Sequence, residues 1–213
     1  MTVAHTVKPG DSLVAWAYQQ AHPSIDPIWQ HADNESLRNE RPDPAVLAPG
    51  DVVHVPPGPV IEKFRLSVGR EHEIVVPLPW ARIRLQLVFH SGVGHAVKPV
   101  EIAFDGGSLS ATPDAEGRID VEVPGHVKKV TLTYAGAAQE LALSHLQPVS
   151  REPGIHARLE NLGYSPGPLD GDRPADPYAF RSAIEEFQCD TGLTVDGIAG
   201  EKTQDKLRER HGA

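Results

Sequence analysis

The sequence predicts a multidomain α+β protein. A small βααβ domain covers residues 1–57, an all-β sandwich-like domain 61–148, and a three-helix bundle 152–213. Three observations carry this. Two proline-rich joints, VPPGPVIEK at 55–63 and LQPVSREPG at 146–154, interrupt the chain where proline fixes φ and glycine punctuates. Between the joints apolar residues recur with period two, the mark of half-buried strands. Outside them the spacing is helical and is bounded by cap residues.

Taken in order, His5-Thr6-Val7 reads as a short strand that Pro9-Gly10 turns. Asp11 or Ser12 is placed to cap a helix with Leu13, Ala15, Trp16 and Ala17 on its apolar side. Asp26-Pro27 is a second start signal, with proline at the first helical position, and Ile28, Trp29, Ala32 and Leu37 follow at near-helical spacing. LAPGDVVHVP then gives a turn and a strand in which Val53 and Val55 alternate inward. So small a domain has little apolar area to bury, and Trp16 and Trp29 are expected in its core.

In the middle segment KFRLSV, ARIRLQLVF, VEIAF, RIDVEV, KKVTLTY and ELALSHL each alternate apolar and polar residues. Asp105-Gly106-Gly107 and Asp114-Ala115-Glu116-Gly117 supply turns between them. About six or seven short strands at this spacing suggest a β-sandwich or a small barrel, the sandwich being preferred. In the last segment Ile155, Leu159 and Leu162 lie on one helix that Gly163 stops. Asp176-Pro177 opens the next, with Phe180, Ala183, Ile184 and Phe187 on one stripe, and Gly192 ends it. Leu193, Val195 and Ile198 are expected to tuck beneath the Asp196-Gly197 turn, before a third helix, Gly200 to Arg210, that turns Leu207 inward.

Composition excludes whole classes of function. A net charge of −9 lacks the basic stripe that nucleic acid requires, and gives no general attraction to an anionic membrane surface. Cys189 is the only cysteine, so neither an intramolecular disulfide nor a thiolate zinc site is expected. The opening MTVAHTVKPGDSL lacks the basic start and apolar run of a secretory signal, and no stretch approaches the roughly 20 apolar residues of a membrane span. The expectation is synthesis in the cytoplasm without a signal peptide.

No constellation of catalytic residues emerges. The histidines form no HExxH, and His90 with His95 straddles Gly92 and Gly94 in an expected loop rather than a zinc site. Cys189, at a helix end, reads as a passive side chain. A glycosidase needs two carboxyls facing one sugar across a cleft. Glu185 and Glu186, adjacent on a helix, point apart, and Asp170, near Asp172, is expected in a turn bonding backbone amides. HSGVG at 90–94 is not a serine-nucleophile motif. No enzyme activity, metal or cofactor is expected.

HTVKPGDSL…LAPGDVVHVP resembles a lysin-motif (LysM) domain over residues 5–56, with Asn34 where these domains often carry asparagine. Its longer central region, SIDPIWQHADNESLRNERPDPAVL, looks like LysM segments associated with type VI secretion and related contractile injection systems. The resemblance implies binding of N-acetylglucosamine-containing glycans by Gly10, Asp11, Ser12 and Leu13 together with Leu47, Ala48, Pro49 and Gly50. The turns and cap would need several of these residues for folding alone.

GIHARLENLGYSPGPLDG…AFRSAIEEFQCDTGLTVDGIAGEKTQDKL is similar to the peptidoglycan-binding domain type 1 of wall hydrolases. The likeness rests on L-x-x-LGY, Ala-Ile-x-x-Phe-Gln, Gly-Leu-x-Val-Asp-Gly and a later Thr-x-x-x-Leu. It departs at His156-Ala157-Arg158, where many members have glutamine, and in the longer spacer DRPADPY. It implies peptidoglycan contacts at Gly163, Tyr164, Asp170, Gly171, Asp196 and Gly197. In the middle, TPDAEGRIDVEVP looks like a unit of transthyretin-like sandwiches, which implies fold alone.

The three-part layout resembles one found beside contractile injection genes. The expected function is therefore non-catalytic binding of peptidoglycan, with delivery to the periplasm by a specialised secretion system. Two alternatives stand beside it. One is an adaptor or cargo-loading component that contacts a secretion-apparatus or effector protein; the other is a small wall-degrading effector with a cryptic site in the middle segment.

Overall fold

The computed structural model describes residues 2–59, 67–73, 77–87 and 98–212. The chain packs as two compact units: Met1–His5, Gly10–Leu37 and Val52–Ser144 in the first, and Thr6–Pro9, Arg38–Asp51 and His145–Ala213 in the second. Most of KFRLSV, the end of ARIRLQLVF, His90, His95 and the whole of HSGVG lie outside the described residues.

β1 (Val3–Thr6) and β2 (Val52–Val55) form a two-stranded sheet, with Val53 and Val55 buried as their alternation requires. Ser12 caps α1 (Leu13–Gln19): extended at φ −149°, it accepts the Ala15 amide on Oγ at 3.2 Å. Leu13, Ala15, Trp16 and Ala17 are buried on the helix, and Trp29 is buried as expected.

The second helix differs from its expectation. It is broken into α2 (Asp26–Trp29), a 3₁₀ turn (Ala32–Asn34) and α3 (Glu35–Glu40). His31 leaves the helical region at ψ 139° and its ring Nδ1 accepts the Asp33 amide at 3.3 Å. The break lets Asn34 turn inward. Its Nδ2 donates to the carbonyls of Ile28 and His54, each at 2.8 Å, and its Oδ1 accepts the His54 amide at 2.8 Å. Asp26 is the first helical residue rather than the cap. Ser24 Oγ accepts its amide at 3.2 Å.

Six strands follow among the described residues: β3 (Trp80–Gln86), β4 (Val100–Phe104), β5 (Gly107–Ala111), β6 (Arg118–Pro124), β7 (Lys129–Tyr134) and β8 (Ala137–Ala142). β3 and β6 pair antiparallel, and β5-β4-β7-β8 form a four-stranded antiparallel sheet. Both sheets feed one core of Ile83, Val100, Ile102, Ile119, Val123, Val127, Val130 and Leu132. β5 has no sequence-level expectation because Ser108 and Ser110 dilute its alternation; it exists through pairing, Phe104 standing opposite Gly107 across Asp105-Gly106. The strand expected over ELALSHL lies earlier. Ala135 (φ 50°) and Gly136 (φ 87°) make a two-residue turn of the kind hairpins favour, which sets Tyr134 against Ala137 and ends the pairing at Ala142.

In the second unit Ala48-Pro49-Gly50-Asp51 is a type II turn, with proline at its second position and Gly50 at φ 97°, closed by the Asp51 amide on the Ala48 carbonyl at 3.0 Å. Asp51 Oδ2 accepts the Ala48 amide at 2.8 Å, and Arg41 grips the same carboxylate at 3.2 and 3.3 Å. Further on come α4 (Glu152–Asn161), the small hairpin β9 (Leu169–Asp170) with β10 (Arg173–Pro174), α5 (Pro177–Asp190) and α6 (Glu201–His211). The three helices share one core: Val149, Ile155, Leu159, Ala183, Ile184, Phe187 and Leu207.

Asp176 caps α5 by accepting the Tyr178 and Ala179 amides at 3.0 and 3.1 Å. Gly163 (φ 92°) ends α4 in a Schellman motif, the Tyr164 amide reaching the Leu159 carbonyl and its own amide reaching that of Glu160. Leu193 and Gly192 (φ 70°) repeat the motif on α5 through the carbonyls of Gln188 and Cys189.

Candidate functional site

The link between α5 and α6 is built around one buried polar side chain. Gln188 sits one step beyond Phe187 on the apolar stripe of α5 and is 1% exposed. Its Oε1 accepts the amides of Asp196 and Gly197, both at 3.0 Å. Its Nε2 faces Asp196 Oδ1 at 2.8 Å, the Ile198 carbonyl at 3.1 Å and Thr203 Oγ1 at 3.1 Å. An amide group unpaired at this depth would cost about 1–3 kcal/mol, so these bonds fix the turn.

Asp196 and Gly197 therefore have structural work within the fold. Asp196 Oδ1 also accepts the Ile198 amide at 2.8 Å, and these bonds hold its carboxyl below the usual 3.8. Gly197 adopts φ 70° against α5, where an added Cβ would lie 2.7 Å from Arg181 Cγ. Arg181 donates to Glu185 Oε1 at 2.8 Å and to the Asp196 carbonyl at 3.3 Å, which ties helix to turn on the outside.

With the turn so held, Val195 and Ile198 face solvent, 53% and 66% exposed, and only Leu193 is half-buried. The expectation that all three tuck under the turn fails for these two. Gln188 fills the space beneath and orients the backbone by its amides. Tyr178, one helical turn before Arg181, is 86% exposed. Tyr178, Arg181 and the 195–198 turn thus follow one another along one side of α5, an aromatic ring, a cation and two aliphatic side chains.

The remaining expected residues separate by role. Gly163 is the exposed left-handed stop of α4. Tyr164 packs edge-on against Phe187, ring centroids 5.6 Å apart, and its hydroxyl donates to Asp190 Oδ2 at 3.1 Å. Burial and that acceptor push the phenol up to about 12. Asp170 is the last residue of β9 and Gly171 (φ 60°) opens the hairpin turn; both are exposed. His156, a departure from the usual glutamine, is buried, and its Nε2 donates to the Gly167 carbonyl at 2.5 Å, fastening α4 to the segment before the hairpin.

Of the residues the LysM likeness implies, Gly10 (φ 84°), Asp11, Ser12 and Leu13 belong to the first unit. Gly10 and Leu13 are buried, Ser12 is occupied as the cap of α1, and Asp11 is half-buried. Leu47, Ala48, Pro49 and Gly50 belong to the second. Leu47 and Ala48 are buried, and Pro49 and Gly50 present the type II turn to solvent.

In the sequence Gln188 is visible only as the last residue of Ala-Ile-x-x-Phe-Gln. A lone polar residue closing an apolar stripe was the available signal. Tyr178, Arg181, Val195 and Ile198 carried none, since exposure at a helix start and a turn depends on the packed structure. Among the described residues no group of three or more His, Cys, Asp or Glu is placed to hold a metal ion. No described helix is long and apolar enough to cross a membrane. No curated protein and no solved structure matches the chain. Residues 155–207, which hold α5, the Gln188 clamp and the exposed turn, match the family model described as a peptidoglycan binding domain.

Proposed function

We propose that this is a non-catalytic, modular peptidoglycan-binding protein that acts with a type VI or related contractile secretion system. The observation that carries the reading is the peptidoglycan binding match over residues 155–207. The wall contact is assigned to the exposed side of α5 and its following turn: Tyr178, Arg181, Val195 and Ile198. A ring and two aliphatic side chains suit the apolar faces of sugars or stem-peptide side chains, and the guanidinium suits their carbonyl and carboxylate oxygens.

The turns at Gly10–Leu13 and Leu47–Gly50 are the glycan contacts that the LysM likeness implies. Weak sites on one chain hold a polymer more firmly than any does alone, provided they engage together. Delivery to the wall through a contractile apparatus is the route that the LysM likeness over residues 5–56 implies.

The test is co-sedimentation of the full chain with purified, protein-free sacculi, beside Tyr178→Ala and Ile198→Asp, with the supernatant assayed for muropeptides. Substitutions suit this better than deletion of the C-terminal segment, because the second unit also contains Thr6–Pro9 and Arg38–Asp51. Binding that each variant weakens, with nothing released, supports the reading. A chain that stays in the supernatant would give these folds to a protein partner, and released muropeptides would make the protein a hydrolase.

A further inference from the structure

The outward face of the β3–β6 ladder carries a feature that the terminal sites do not use. Its inward residues Ile83, Ile119 and Val123 are buried in the core. Outward, Trp80 stands opposite Pro124, Arg82 opposite Glu122 and Arg84 opposite Asp120. Trp80 is 56% exposed, whereas Trp16 and Trp29 are each 7% exposed. The aromatic ring therefore lies in water beside a row of planar polar side chains. At the usual rise per residue the row from Trp80 to Gln86 is about 20 Å long, room for more than one sugar ring.

The polar part of this face is already arranged. Arg82 forms two parallel bonds to Asp120, Nε to Oδ1 at 2.6 Å and Nη2 to Oδ2 at 2.5 Å, across the diagonal of the ladder. Arg118 Nε reaches Asp114 Oδ2 and its Nη2 reaches Glu116 Oε2, both at 2.8 Å. The Arg82 and Asp120 side chains are 62% and 45% exposed, so the N–H groups and lone pairs their mutual bonds do not use are open to solvent.

We propose that this face is a saccharide-binding surface on which Trp80 stacks against a pyranose ring of a neutral glycan chain, with the Arg82–Asp120 pair bonding its hydroxyls. The charge balance selects that occupant. An anionic polymer would find Arg82 and Arg118 already paired and, apart from Arg84, would face the carboxylates of Asp114, Glu116, Asp120 and Glu122, on a protein of net charge −9. An apolar protein surface would meet one large apolar side chain in a charged row, and would strand the ion pairs without water. A sugar needs one aromatic platform and polar groups at its edge, which is the arrangement present. The choice of glycan, though not the site, rests on the wall-binding reading, and it makes the middle segment a third wall contact.

The test uses the full chain and a soluble N-acetylglucosamine hexamer, reading the acrylamide quenching of tryptophan fluorescence. Because Trp16 and Trp29 are buried, the readily quenched component belongs to Trp80 and should disappear in Trp80→Phe. The expected result is that the hexamer shields this component. Arg82→Ala should then raise the half-shielding concentration roughly tenfold, the effect of one lost charge-assisted bond. A Trp80 still freely quenched at saturating hexamer would overturn the proposal, and so would shielding that Arg82→Ala leaves unmoved. Sacculus sedimentation separates the two readings. Sedimentation with an unshielded Trp80 sinks this inference alone, and shielding in a chain that does not sediment sinks only the wall-binding reading.

Discussion

Gln188 and Asp196, eight residues apart, hold each other in both directions: Gln188 Nε2 donates to Asp196 Oδ1 at 2.8 Å and the Asp196 amide donates to Gln188 Oε1 at 3.0 Å. The reciprocal pair closes the α5–α6 turn as a side-chain stand-in for a strand pairing. The exposed Val195 and Ile198 sit on a turn that is rigid for this reason.

Replacing Gln188 with alanine should therefore open the turn before it unfolds the helices. The two amides and the buried acceptors it serves lose their partner, and the destabilisation should be about 3 kcal/mol. Hydrogen exchange measures it site by site. The Asp196 and Gly197 amides should be protected in the wild type and exchange orders of magnitude faster in Gln188→Ala, and protection that survives the change would show another anchor.

Gly192 and Gly197 offer an internal comparison. Both adopt φ 70°, but a Cβ at Gly192 meets nothing within 4 Å, whereas one at Gly197 lies 2.7 Å from Arg181 Cγ and Nε. Each alanine substitution should cost about 1–2 kcal/mol for the left-handed backbone. Only Gly197→Ala should also displace Arg181 and weaken sacculus binding. Equal binding by the two variants would remove Arg181 from the wall contact.

Asn34→Ala should destabilise the first unit by about 3 kcal/mol, because buried groups of Ile28 and His54 lose their partner. Asn34→Asp should fare no better despite its shape, since a carboxylate cannot donate to two carbonyls. Tryptophan fluorescence during urea unfolding reads this directly, all three tryptophans lying in that unit.

Titration separates two groups of the C-terminal segment. Burial and the bond to Asp190 raise the Tyr164 phenol from 10.0 to about 12. Because the folded value is the higher, the stabilisation is fully present below pH 10 and lost as pH rises toward 12. Tyrosinate absorbance should show a phenol ionising near pH 12, and Tyr164→Phe should remove that step.

Asp196 behaves in the opposite sense. Its backbone bond from Ile198 and its bond from Gln188 hold the carboxyl below 3.8, so its contribution is present above that value and lost as pH falls through the folded one. The turn should loosen only below about pH 4, seen as faster exchange of the Ile198 amide. Asp196→Asn should remove that acid dependence.

Much of the scaffold was legible because it follows local rules. Ser12, Asp176-Pro177, Gly163 and Gly192 mark helix ends through their own φ and side-chain reach, and VEIAF, RIDVEV and KKVTLTY reveal strands by alternation. The candidate site was legible only as turns. Asp196 and Gly197 were found, but the reason the turn holds lies in Gln188, whose role depends on groups eight or more positions away.

The sequence by itself determined where α1, α4 and α5 begin or stop, most of the central strands, and that the C-terminal segment carries a peptidoglycan-binding pattern. These are properties of short windows: cap chemistry, glycine at positive φ, and period. Only the tertiary structure decided that β5 pairs despite its serines and that the second helix breaks at His31. It also decided that Val195, Ile198 and Trp80 face water while Trp16 and Trp29 do not. Those outcomes turn on which distant groups compete for the same buried volume and the same hydrogen bonds, and no local window contains both competitors.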